Sequence, residues 1–138
     1  PVTVTINDLA DGLETRLQAV SGLHLYSEID EHPHEPSAEI LFDGRTRDDA
    51  GGGQIATFSV EGGVSSDDRG WSQAVRLLRT FMDPTGASSI EAALDGDQSL
   101  GGIADWTAVT GVGAERRTQV GDGWRIVNRV SVAVCYDP

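Results

Sequence analysis

The run at 124–136 reads WRIVNRVSVAVCY, and Ile126, Asn128, Val130, Val132 and Val134 fall on every second position. A period of two marks a strand with one face turned to a core. It is the longest strand the sequence predicts, and it commits the chain to a sheet with a cover on one side. The preceding predicted strand, 103–111, is expected beside it.

The remaining elements follow from spacing. Asn7 or Asp8 caps a helix over 8–20, where Leu9, Leu13, Leu17 and Val20 form one apolar stripe, weakened in its middle by Gly12. Residues 23–27 read as a short strand, as do 38–42 and 54–64. Ser65-Ser66-Asp67-Asp68 opens a second helix running to about Met82, with Trp71, Val75, Leu78 and Met82 on one face. Between 88 and 102 the chain reads SSIEAALDGDQSLGG. Ser88 or Ser89 caps a short helix with Ile90, Ala93 and Leu94 inward, Asp95-Gly96-Asp97 stops it, Leu100 plugs the core, and Gly101-Gly102 turns the chain.

The expected order is therefore α-β-β-β-α-α-β-β. This is an α+β fold, a mostly antiparallel sheet of four to five strands with two or three helices on one face. At 138 residues the chain is read as one domain, 1–138, with flexible loops at 28–37, 43–53 and 112–123.

Charge narrows the function. There are 22 acidic and 10 basic residues, a net charge of −12, and every basic residue is arginine. Such a surface repels phosphate backbones and disfavours specific nucleic-acid binding. The single cysteine, Cys135, allows no intrachain disulfide, and it reads as a small apolar residue on the last strand. PVTVTINDL does not read as a signal peptide, and no stretch approaches 18 apolar residues, so no membrane partner is expected.

Chemistry-bearing motifs are sparse. His32-Pro33-His34-Glu35, with Asp30 or Glu31 nearby, is the one ligand-like cluster, but it lacks the further spaced ligands of a closed site. The pairs Asp67/Asp68 and Asp95/Asp97 sit at helix ends, where capping accounts for them, and DGDQSLGG does not match a calcium-binding loop. Without lysine there is no phosphate-binding loop, and Ser88/Ser89 have no partnered histidine. No enzyme, metal or cofactor is expected. Trp71 reads as core. Trp106 and Trp124, with Arg45, Arg47, Asp48, Asp49, Arg116 and Arg117, are the candidates for a subunit or partner interface.

The order of these pieces resembles the tail terminator (tail completion) proteins of bacteriophages with long non-contractile tails. Gly12 to Leu17 and Val20 to Tyr26 look like that family's opening helix and its entry into the first strand. Pro36-Ser37-Ala38 is similar to its turn into the second strand, and 86–94 with 97–102 to its most recognisable stretch. The acidic 28–35 loop and the glycine triplet at 51–53 depart from it. The lysine-free composition looks like that of a phage of a high-GC actinobacterial host. The resemblance implies a virion protein at the head–tail junction: a ring, usually of six subunits, that ends tail-tube growth. Its partners would be copies of itself, the major tail tube protein and a head-closure or connector protein. Genome DNA would pass through an acidic lumen without specific binding. Six copies at −12 each would carry −72, so arginines are expected to offset carboxylates across subunit contacts. The loops 43–53 and 112–123 would order on docking. A connector or tube subunit of the same particle is the first alternative, and a non-viral acidic binding module is the second. Apart from 124–136 the predicted strands are short, which favours a terminator over a tube protein.

Overall fold

A computed structural model describes residues 3–26, 36–47, 53–65, 70–120 and 123–138. In chain order the elements are α1 (Ile6–Leu17), β1 (His24–Tyr26), β2 (Ser37–Arg47), β3 (Gln54–Ser65), α2 (Gly70–Met82), α3 (Ile90–Asp95), β4 (Trp106–Val112), β5 (Arg116–Val120) and β6 (Gly123–Tyr136). The fold is α+β, with a predominantly antiparallel sheet and its helices on one face.

The sheet runs β1-β2-β3-β6-β4, with β5 also on β6. β6 pairs with β3 along one edge, from Ser65↔Arg125 to Gln54↔Tyr136. Along its other edge it pairs first with β5 and then with β4, end to end. β2–β3 and β4–β5–β6 are thus two long antiparallel arms laid side by side, and the pairs Arg47↔Gln54 and Val120↔Gly123 lie at opposite ends of the sheet. The expected neighbours, 103–111 and 124–136, do pair.

Several expectations need correction. Among the described residues the sheet has six strands where four to five were expected. Residues 43–47, read as loop, continue β2 past a bulge between Phe42 and Gly44. The 112–123 loop contains β5, which pairs with β6 from Arg116↔Val127 to Val120↔Gly123. Both are polar strands held by backbone pairing, which leaves no apolar alternation to read. β4 begins at Trp106, because the turn that starts after α3 extends through Ile103. β1 pairs with β2 in parallel. Two strands besides 124–136 are long, β2 with 11 residues and β3 with 12, whereas β1, β4 and β5 have 3, 7 and 5. Of the 28–37 loop, Ser37 belongs to β2 and 28–35 lie outside the described residues, as do Ser66, Asp67 and Asp68.

Alternation divides the sheet. Ala38, Ile40, Ala56, Phe58, Val60, Val64, Ile126, Val130, Val132 and Val134 are buried on one face. Over them lie Leu9, Leu13 and Leu17 of α1, Ala74, Leu78 and Phe81 of α2, and Ile90 and Leu94 of α3. α1 starts earlier than Asn7 or Asp8. Thr5 is its N-cap, taking a hydrogen bond from the Asp8 amide (3.1 Å) while its own amide donates to the Asp8 carboxylate (2.9 Å). The helix ends at Leu17, short of the expected 20. Gly12 serves packing: a Cβ there would stand 3.2 Å from both Leu100 Cβ and Ile103 Cδ1.

The stretch 88–102 locks α3 in place. Ser89 caps α3 through the Ala92 amide (3.0 Å), and Arg16 of α1 donates from Nε (3.1 Å) and Nη2 (2.9 Å) to the Ala93 carbonyl. After the helix, Asp97 accepts from the Ser99 hydroxyl (2.6 Å), the Ser99 amide (3.0 Å) and the Gly101 amide (2.9 Å). Those bonds, the Ser99 hydroxyl first, hold the Asp97 carboxyl below its usual range. Leu100, Gly101 and Gly102 all have positive φ (50°, 75° and 96°). Two are glycines, but Leu100 accepts the strained conformation to bury its side chain.

Leu100→Ala keeps that strain and loses the plug, so urea unfolding should register a loss of about 2–4 kcal/mol. Asp97→Asn should lower the melting temperature at pH 7. A carboxyl with a depressed folded-state pKa stabilises above about pH 4 and loses that contribution as pH falls further. The gap between Asp97→Asn and the parent protein should therefore close on acidification below about pH 4, read by thermal melts across a pH series.

Candidate functional site

The interface candidates divide between the two ends of the sheet. Trp106 pairs with Cys135, and Trp124 pairs with Gln119. At the rise of an extended strand these levels lie about 35 Å apart along β6. Arg45 and Arg47, paired with Ala56 and Gln54, share the Trp106 end. Arg116, Arg117 and Trp124 share the other. Asp48 and Asp49 lie outside the described residues.

Adjacent positions on β5 point to opposite faces. Arg117 turns to the helix-covered face, where its guanidinium lies 4.3 Å from the centroid of the Trp71 ring. Trp124, 46% exposed, completes an open cleft of about 260 Å³ lined by Trp71, Arg117 and Trp124. The residue read as plain core is thus half-buried, with its ring serving as the cleft's wall. A cation over an exposed indole contributes about 0.5–1 kcal/mol, enough to set the guanidinium's orientation.

Arg116 turns to the uncovered face. There Glu61 accepts from Arg129 Nε (2.7 Å) and from Arg116 Nη2 (3.4 Å). Both arginines are exposed, so the bridges add little stability. They do neutralise the cationic side chains beside the middle of that face. The face's centre is short-chained: Thr57, Ser59, Ala108, Ser131 and Ala133. Asp43, at the β2 bulge, takes a hydrogen bond from the Ser59 hydroxyl. Arg79 of α2 forms a two-point pair with Glu115, between β4 and β5, and that carboxylate raises the pKa of the guanidinium.

Arg125 was missed by the sequence reading, as were Glu61, Arg129, Arg79 and Glu115. Arg125 on β6 is only 8% exposed, and its guanidinium crosses Gly63 of β3 to donate to the Ser37 hydroxyl of β2 (2.9 Å). A Cβ at Gly63 would overlap the guanidinium. The sequence signal was there: a glycine inside a strand marks a close approach by something else.

The ligand-like cluster His32, His34 and Glu35 lies outside the described residues. Among the described residues, no group of three or more His, Cys, Asp or Glu side chains is placed to hold a metal ion. No helix among them is long and apolar enough to cross a membrane. Among the described residues the arrangement offers exposed indoles, oriented guanidinium donors and strand edges with no strand paired to them. Comparison with models of known protein families and with curated proteins returns no match.

Gly63→Ala should displace Arg125 from its path and cost about 2–3 kcal/mol in chemical unfolding. Ser37→Ala, which removes only the acceptor, should cost less, about 1–2 kcal/mol. Equal stability of Gly63→Ala and the parent protein would refute the crossing.

Proposed function

We propose that this chain is a ring-forming structural subunit of the tail-terminator type. Copies of it close a ring at the head-proximal end of a phage tail tube, stop the tube's growth and meet the head-closure proteins, and the genome passes through the hole. The observation that carries this reading is the location of the exposed apolar side chains. Of the four large ones on the described surface, Phe42, Trp106 and Val112 belong to β2 and β4, the strands with open edges. Apolar groups on open edges suit a sheet that is completed by other copies.

The dimensions agree with a passage for duplex DNA. Each copy contributes four strands, β2, β3, β6 and β4, to a shared wall. At about 4.8 Å per strand, six copies give a perimeter of about 115 Å and a backbone diameter of about 37 Å. With the helices outside, the uncovered face lines the hole. Its centre is short-chained, and its exposed arginines, Arg116 and Arg129, are engaged by Glu61. A chain at −12 with no loose basic patch there lets a phosphate backbone slide past instead of holding it.

A second reading, a tail-tube subunit, gains support from the same geometry. The expected argument against it was short strands, and the hairpins are long. Reconstruction of the assembled particle separates the two. A single ring of this chain at the head-proximal end of the tail is the expected result. Rings stacked along the whole tail would make it the tube protein, and its absence from the tail would overturn both.

A further inference from the structure

Resting on that ring reading, we infer that copies join by antiparallel pairing of the outer edge of β2 in one copy with the outer edge of β4 in the next. Arg47 lies opposite Asp105 and Ile40 opposite Val112.

Both edges are open over the same stretch. β1 covers β2 only at Ser37, Ala38 and Glu39. From Ile40 to Arg47, no strand among the described residues pairs with β2's outer side, and none pairs with β4's. The two stretches also stand at one level. Ile40 shares a row of cross-strand partners with Val60, Val130 and Val112, and Thr46 shares one with Ile55, Cys135 and Trp106. One row further, Arg47 pairs with Gln54 and Gln54 with Tyr136, while the Asp105 amide is bonded to the Cys135 carbonyl. The free edges therefore match in length, residue for residue. Each also carries one bulge, β2 between Phe42 and Gly44 and β4 between Val109 and Gly111, one row apart.

Direction agrees as well. β2 is antiparallel to β3, β3 to β6 and β6 to β4, so β2 and β4 run in opposite senses. A copy rotated about an axis along the strands presents its β4 antiparallel to β2. A shift in register would drive one end of the seam into β1 or carry the other past Arg47. At the level of β1 the neighbour's outer strand is already interrupted, between Val112 and Arg116.

The side chains complement each other. The β2 edge ends in the exposed pair Arg45 and Arg47, and the β4 edge begins after the exposed Asp105. Phe42, 49% exposed, and Val112, 43% exposed, gain cover from the neighbour on the helix side. A bulged, arginine-bearing edge resists a flat partner, but it accepts one bulged at nearly the same level. The two patches differ, so the contact is head-to-tail, the kind that closes into a ring when the rotation from copy to copy closes.

The test is cross-linking of the concentrated full chain. Arg47→Cys combined with Asp105→Cys should, on mild oxidation, give a ladder of linked multimers ending at the ring number on a non-reducing gel. Each single variant, which retains Cys135, should stay unlinked. No ladder from the double variant overturns the seam, and so do dimers from a single variant, which would mean like edges pair. In native mass spectrometry, Arg47→Asp and Asp105→Arg should each deplete rings and together restore them. Unchanged melting temperatures verify that the variants fold. Wild-type rings without the cross-link would refute the seam and leave the ring standing. Wild-type protein that forms no ring, alone or on tube ends, would remove both.

Discussion

The backbone pairing of β3 with β6 supports everything else in this molecule. Twelve successive pairs join the inner arms of two hairpins that are distant in sequence. Because side chains alternate with a period of two, that one register decides which face of every strand meets the helices. A slip of one residue in β6 against β3 would turn Val130 and Val132 outward and bring Arg129 and Ser131 toward the helices, while β3 kept Val60 inward. The register is held because Phe58, Val60 and Val64 share a face with Val132, Val130 and Ile126. The Arg125 side chain, laid over Gly63 to Ser37, ties three strands together on the opposite face.

Once that pair is set, the outer strands follow, and so do the open edges. β2 and β4 depend on β3 and β6 for their inner partners and, among the described residues, have no comparable partner outside. Their sequences are polar or interrupted, with Arg45, Arg47 and a bulge on one and Gly111 and a bulge on the other. These features blunt an edge against indiscriminate pairing. The described sheet thus has one face covered by three helices, one face with short side chains at its centre, and two outer edges of matched length.

Arginines on the described surface are repeatedly engaged: Arg16 by the Ala93 carbonyl, Arg79 by Glu115, Arg116 and Arg129 by Glu61, and Arg117 by the Trp71 ring. In the ring proposed above, the acid surplus would repel DNA. The Trp71–Arg117–Trp124 cleft lies at the end of the sheet opposite Trp106, so exposed indoles stand at both ends of the described sheet.

Period and capping made the helices, the long last strand and the layer order legible from the sequence. Leu9, Leu13 and Leu17, the Ser89 cap and the alternation of 124–136 each carry a local physical signal that no distant contact needs to supply. By itself, then, the sequence determined the α+β layering and an acidic, lysine-free surface. Tertiary structure alone decided that 43–47 and 116–120 are strands, because polar strands are specified by their neighbours' backbones and not by their own side chains. It also decided where the candidate residues stand. Alternation can tell that Arg116 and Arg117 face opposite ways, but only the fold brings Trp71 to one and Glu61 to the other. The match between the β2 and β4 edges likewise arises from two pairings made far away in the chain.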